Sequence, residues 1–202
     1  MDSQLILASG SLSRQALLSS AGVSFRVCGS GVDETTHKAA GMKEGLDGQA
    51  MTVRLAEAKV RAVLAQEHTF GVRGIIGADQ ILEHEGVWLD KPKHKDDARK
   101  QLQALRGKQY CLWTSVCLAT KQGILWRHSE KATLRMRPFD DTVLEAYLRK
   151  AGEDVLLSPG ACLLERHGIQ LIDAIDGDYF SILGLPLLPL LQALRQQGWV
   201  TL

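Results

Sequence analysis

The sequence predicts an α/β fold: a mixed, twisted sheet with flanking helices, in two lobes around a cleft. Three observations carry that expectation. Short apolar strands alternate with helical segments through the first half of the chain, as where Leu5 to Ala8 is followed by Gln15 to Ala21. Two long alternating segments, Gln109 to Ala119 and Ile124 to Met136, are separated only by Thr120 to Gly123, the pattern of an antiparallel pair. The chain has 202 residues, 45% of them apolar, enough for one domain over residues 1–202, and it shows no internal repeat or low-complexity linker.

Composition removes several classes of function. A formal charge of +1 with 23% charged residues argues against a nucleic-acid or anionic-membrane binder, which would carry a basic excess. Aromatic residues at 5% lower the case for a single-strand stacking surface. Cys28, Cys111, Cys117 and Cys162 form no C-x-x-C pair and read as small buried hydrophobes, on or beside strands, in a reducing compartment. Met1 to Gln4 has no basic n-region. The apolar stretch from Ser181 to Leu194 is broken by Pro186 and Pro189 and is too short to span a bilayer. A soluble, cytoplasmic protein is expected.

The first strand leads through Ser9-Gly10-Ser11-Leu12-Ser13-Arg14 into a helix stopped at Gly22. Free backbone N–H groups, a helix dipole and a guanidinium suit an anion such as phosphate. The same residues also suit a plain serine cap beside a solvated arginine. The sequence contains neither a G-x-x-x-x-G-K-[ST] loop nor a G-x-G-x-x-G after a strand. Val23 to Val27 reads as a second strand, and Val32-Asp33-Glu34 behind it as either an ordinary turn or a pair of functional acids. The polar stretch from Thr35 to Gly48 reads as a mobile loop over the site.

A helix is expected from Asp47 or Gly48 to about Gln66, with Leu55, Ala58, Ala62 and Val63 on its apolar side. Lys59 falls inside that apolar arc, where a lysine either snorkels or meets an anion. Gly74 to Gln80 reads as a buried strand ending on Asp79. An acid at the carboxyl end of a strand is a functional candidate by position, or else caps a turn. Ile81 to Leu89 is a hairpin turning at Gly86 and delivering Lys91, whose backbone is steadied by Pro92. Helices are expected from Asp96 to Gly107 and, introduced by Pro138 and Asp140, to Lys150. A strand from Ala161 to Leu164, a turn at Glu165 to Gly168, a strand from Ile169 and a helix to Gln197 complete the reading. The histidines show no metal spacing and are expected on the surface.

Several short motifs recur in a meaningful order: Ser9-x-Ser11-x-x-Arg14 with Leu17-Leu18, Val32-Asp33-Glu34, Leu55-Ala56-x-x-Lys59, Gly77-Ala78-Asp79, Lys91-Pro92, and Asp176-Gly177-Asp178-Tyr179-Phe180 through Leu187. Together they resemble the Maf family of nucleoside triphosphate pyrophosphatases over nearly the whole chain. The resemblance implies hydrolysis of a nucleoside triphosphate to monophosphate and pyrophosphate, with Asp79 as general base. It implies phosphate contacts from Ser9, Ser11, Arg14, Lys59 and Lys91, and a divalent cation, Mg²⁺ or Mn²⁺, held by Glu34 and Asp79. Members of the family have been linked to septum formation, so a non-catalytic nucleotide-binding regulator is the rival reading. A homodimer is left open. Two stretches depart from the family pattern: Thr114-Ser115-Val116 stands where it has Thr-Gly-Val, and Leu157-Ser158-Pro159-Gly160-Ala161 keeps only the glycine of its segment.

The base is read from three positions. The family branch acting on dTTP and UTP carries arginine, threonine and glutamine there, and the branch acting on 7-methyl-GTP carries tryptophan, glutamine and glutamate. This chain has Ser13, Gln80 and Glu165, of which two resemble the second branch. A carboxylate suits the adjacent N1–H and amino donors of guanine. The resemblance therefore implies a 7-methylguanine-type substrate, with dTTP or UTP as the alternative.

Overall fold

The computed structural model describes residues 4–66 and 71–201. Two short strands and three helices open the chain: β1 (Leu5–Leu7), α1 (Leu12–Ser20), β2 (Phe25–Val27), α2 (Glu34–Lys43) and α3 (Gly48–Leu64), followed by β3 (Gly74–His84). Then come β4 (Val87–Leu89), α4 (Lys95–Leu105), the long strands β5 (Gln109–Thr120) and β6 (Gly123–Met136), α5 (Asp141–Ala151), β7 (Ile172–Asp176), α6 (Tyr179–Ile182) and α7 (Leu187–Gln196). The strands form a seven-stranded sheet in the order β2-β1-β3-β5-β6-β7, with β4 also on β3. Parallel and antiparallel pairs both occur, so the sheet is mixed. Among the described residues no helix is long and apolar enough to cross a membrane.

The chain divides into two compact units. The first comprises residues 1–80, 114–130 and 184–202. In it β1 pairs parallel with β2 on one side and β3 on the other, Leu5 opposite both Phe25 and Gly74. All three residues of β1 are buried, so both of its faces are covered, which is why Leu5, Ile6 and Leu7 run without alternation. Helix α3 packs Ala56, Val60 and Val63 onto Ile6, Ile75 and Cys117. It comes close to β3 at Gly77, where a Cβ would stand 2.4 Å from the Ala56 carbonyl oxygen.

The second unit comprises residues 81–113 and 131–183. Its core joins Leu102 and Leu105 of α4, Leu134 and Met136 of β6, and Leu144 and Tyr147 of α5. The β3–β4 hairpin pairs Leu82 with Leu89, and β7 lies antiparallel on β6 with an irregularity at Arg135/Met136. The unusual Leu157 to Ala161 stretch leaves a 3-10 turn that ends at Leu156 and enters a second one over Pro159–Ala161. Gly160 takes φ +76° with its backbone N–H donating to Gln101 Oε1 at 2.8 Å, and a Cβ there would come within 2.7 Å of Leu82. This is a physical reason for the glycine that the segment retains.

Several expectations are corrected. Thr35 to Lys43 is helix α2 and not a mobile loop: Asp33 caps it by accepting from the Thr35 and Thr36 N–H groups, and Gly41 lets it close on Met51 of α3. With Gly41 its sole buried residue, α2 has almost no apolar stripe to reveal it. Asp79 does not end its strand, since β3 runs on to His84. Ala161 to Leu164 forms no strand, so Cys162 lies on none, and the last strand begins at Ile172 and not Ile169. His84 is buried, its Nδ1 3.0 Å from the Gln109 carbonyl oxygen, whereas His68 lies outside the described residues. Of the four cysteines, all free, only Cys117 is fully buried, its thiol pushed up to about 12 chiefly by that burial.

The contact at Gly77 makes a stability prediction. A methyl group there meets the Ala56 carbonyl oxygen and the branched Val60 side chain, both at 2.4 Å, and the backbone oxygen cannot swing aside, so Gly77→Ala should cost about 1–3 kcal/mol. The expected result is a lower urea midpoint with an unchanged m-value; a midpoint equal to wild type would show that α3 can retreat from β3 at no cost.

Candidate active site

Three elements of the first unit converge on one ion cluster. Alternation along β3 turns Asp79 toward the face covered by α3, the face on which Gly77 also lies. On α3, Thr52, Ala56 and Lys59 recur at i, i+4 and i+7 and so share one helix face. Glu34 is the first residue of α2, where the helix dipole favours a carboxylate. The Lys59 ammonium sits between the two acids, 2.6 Å from Asp79 Oδ1 and 2.6 Å from Glu34 Oε1. Lys59 and Asp79 are buried, at 7% and 3% exposure, while the Glu34 side chain is 42% exposed. The lysine of the apolar arc thus meets anions, but they belong to the protein.

The two carboxyls are driven in opposite directions. Burial pushes the Asp79 pKa up, helped by the Glu34 charge and opposed by Lys59 and Arg14. Burial also acts to raise Glu34, but the charge and hydrogen bond of Lys59, with Lys38 and Arg14, outweigh it and leave Glu34 below its ordinary value. An acid pair whose values are pushed apart is the arrangement in which one group can take a proton while the other stays ionised. Asp79 Oδ2 is buried and has no hydrogen-bond partner among the described residues. An unsatisfied buried carboxylate oxygen is costly, and a water or a cation would satisfy it.

Arg14 is the second buried cation. Its Nε donates to the Gly184 carbonyl at 2.7 Å, and its Nη1 donates to the Ala78 carbonyl at 2.8 Å and to Ser9 Oγ at 3.0 Å. Burial lowers its pKa, partly offset by the charges of Asp79 and Glu34. The guanidinium therefore ties α1 to β3 and to the segment before α7, and is not the solvated arginine of the alternative reading. Ser9 Oγ also accepts from the Ser11 N–H at 3.3 Å. With both lone pairs engaged, the Ser9 hydroxyl can offer its proton to a further acceptor. Ser11 occupies the cap position of α1 with no side-chain cap bond, so the simple serine cap is not what forms there.

The remaining expected residues are more scattered. Gln80 points to the opposite face of β3 from Asp79, and its Nε2 donates to Thr114 Oγ1 at 2.9 Å. Ser13 lies half-buried in the first turn of α1. Lys91 and Glu165 belong to the second unit, Lys91 exposed after β4 and Glu165 exposed in the turn before a 3-10 helix. Sequence reasoning missed Ala78 and Gly184 as the carbonyl anchors of Arg14, because a backbone acceptor leaves no mark on residue type. It also missed the hydroxyls of Thr52 and Ser129, although Ser115 was marked by its departure from Thr-Gly-Val.

A divalent cation fits this donor set. Glu34 and the unpartnered oxygen of Asp79 are hard oxygen donors, the kind that Mg²⁺ and Mn²⁺ prefer. No cluster of three or more His, Cys, Asp or Glu that could hold a metal occurs among the described residues. The protein could thus supply two carboxylates, and Mg²⁺ commonly completes such a shell with water and substrate phosphate.

Comparison with known proteins agrees with this picture. A nucleoside triphosphate pyrophosphatase of Ruegeria sp. (strain TM1040) is 40% identical over 98% of this chain and 98% of its own length. A protein of the same name from Rhodospirillum rubrum is 43% identical over 96% and 95%. A 7-methyl-GTP pyrophosphatase of Rhizobium meliloti (strain 1021) is 38% identical over 96% of both chains. The sequence pattern described as Maf-like protein matches residues 4–197, and the chain belongs to that family.

Proposed function

We propose that this protein hydrolyses a nucleoside triphosphate between its α- and β-phosphates, releasing the monophosphate and pyrophosphate. The observation that carries the reading is the buried lysine held between two carboxyls of opposite pKa shift, one with an unpartnered oxygen. Asp79 accepts the proton of the attacking water; its raised pKa brings it nearer to neutral pH, where a general base works best. Lys59 keeps the two carboxyls in place and contributes positive charge toward the phosphates. Ser9 and Ser11 offer hydroxyl donors, and Arg14 stiffens their loop while adding charge. Lys91 is assigned a phosphate contact on its motif. Glu34 and Asp79 hold the divalent cation, which when bound neutralises phosphate oxygens and raises the acidity of water. A soluble cytoplasmic setting, in one Maf-like domain of two units, fits this substrate.

The base preference is part of the same proposal. Glu165, aided by Gln80, favours a guanine-type base, 7-methylguanine included, since a carboxylate answers both adjacent donors and a positive ring. Ser13 in place of tryptophan removes a stacking contact worth about 1–3 kcal/mol.

The decisive assay is pyrophosphate release from a panel of standard and modified nucleoside triphosphates; no turnover of any would leave only the binding regulator. Asp79→Asn should lower kcat by at least about a hundredfold. Its fold should be kept, since Lys59 stays paired with Glu34. The folded-state pKa of Asp79 lies above the unfolded value, so the folded protein binds that proton more tightly, and stability is lost as pH rises through the raised value. A neutral amide removes that loss, and near wild-type kcat would take Asp79 out of the reaction. Exhaustive chelation should abolish activity and added Mg²⁺ should restore it; full activity without divalent cation would remove the metal role of Glu34. Glu165→Gln should reduce kcat/KM for 7-methyl-GTP much more than for UTP, and faster wild-type turnover of dTTP or UTP than of any guanine nucleotide would overturn the base assignment.

A further inference from the structure

The serine that breaks the Thr-Gly-Val pattern is part of a buried chain of hydroxyls. Thr52 Oγ1 donates to the Gln49 carbonyl at 2.9 Å and lies 2.7 Å from Ser115 Oγ, which lies 2.8 Å from Ser129 Oγ. Each hydroxyl has one proton, and a carbonyl can only accept. Thr52 spends its proton on Gln49, so Ser115 must donate to Thr52, and Ser129 must donate to Ser115. The chain therefore has a single direction, from β6 through β5 into the first turn of α3. Thr52 and Ser115 are almost fully buried, at 0% and 1% exposure, so breaking the chain leaves polar atoms without water.

Its position on α3 gives it a consequence for the site. Thr52 precedes Lys59 by roughly two helical turns on the same face. Between them Ala56 presses its carbonyl against Gly77 of β3. Helix α3 is thus fastened to the sheet by hydroxyls at one end, by backbone contact in the middle, and by the Lys59–Asp79 pair at the working end. The pair alone cannot set the helix height, because a lysine side chain has four rotatable bonds and can follow a shifted helix into a poorer geometry.

We infer that Thr52 and Ser115 are positioning residues that set the placement of α3, and through it the alignment of Lys59 and Asp79. The inference rests on the pyrophosphatase reading for its kinetic consequence but not for its structural one. The test measures kcat and KM with Mg²⁺ and, in parallel, GTP and UTP, for wild type, Thr52→Val, Thr52→Ser, Ser115→Ala and the Thr52→Val/Ser115→Ala double variant. Thr52→Val is isosteric, so it removes the hydroxyl without opening a cavity. A small displacement of a catalytic group is costly, so Thr52→Val and Ser115→Ala should each lower kcat by about tenfold, with KM within about twofold of wild type. The double variant should lose little more than either single one, and Thr52→Ser, which keeps the hydroxyl, should stay close to wild type. Wild-type kcat in both single variants, or losses that multiply in the double, would overturn the inference while leaving the pyrophosphatase reading intact. A second measurement needs no turnover: the coupling between Lys59→Met and Asp79→Asn in urea unfolding should fall by about half or more in the Thr52→Val background. An unchanged coupling overturns the inference even if wild type releases no pyrophosphate, the outcome that would sink the reaction assignment separately.

Discussion

A buried ammonium between two carboxyls is the constraint on which the first unit depends. Removing one partner from a buried ion pair costs about 3–5 kcal/mol, because the other is left charged in a poor solvent. Lys59 and Asp79 must therefore arrive together, one on a helix and the other on a strand. Glu34 adds a second negative charge at the exposed rim, where the start of α2 favours it. The cluster holds two carboxyls close under one cation, an expensive arrangement for stability alone and a useful one for handling protons and phosphate charge.

Around that cluster, close approach is arranged by small residues and backbone acceptors. Gly77 admits the Ala56 carbonyl, Gly41 admits Met51, and Arg14 spends N–H groups on the carbonyls of Ala78 and Gly184. These contacts place α2, α3 and the loop after β1 against one strand without requiring any bulky specific partner. The second unit follows the same logic at Gly160, whose left-handed backbone and missing Cβ leave room for Leu82 and Leu105. A segment that departs from its family's usual residues can keep its course when the one position with a steric demand is met.

Much of this was legible in the residues. The uninterrupted apolar run at Leu5 to Ala8 marked a strand buried on both sides, and the alternation from Gln109 to Met136 marked the long ribbon. Lys59 stood out by standing on the wrong side of its helix, and it is buried against charge. Helix α2 was not legible, because it buries almost nothing and its start is signalled mainly by the Asp33 cap. The strand expected at Ala161 to Leu164 failed because a short apolar run carries no periodicity of its own, and here the backbone turns at Gly160 and Ala161, both with positive φ.

The sequence by itself determined the class of fold, the family and the candidate site residues, since these depend on local periodicity and on motifs whose spacing is written in the chain. Only the tertiary structure decided what those residues are for one another. That Lys59 bridges Glu34 and Asp79, that Arg14 is committed to carbonyls, that Gln80 and Asp79 face apart, and that Ser115 completes a directed chain between Ser129 and Thr52 are all facts of distance between segments remote in sequence. Charge, burial and hydrogen-bond direction act through space, and their sign at Asp79 emerges only once α3 and β3 are in contact.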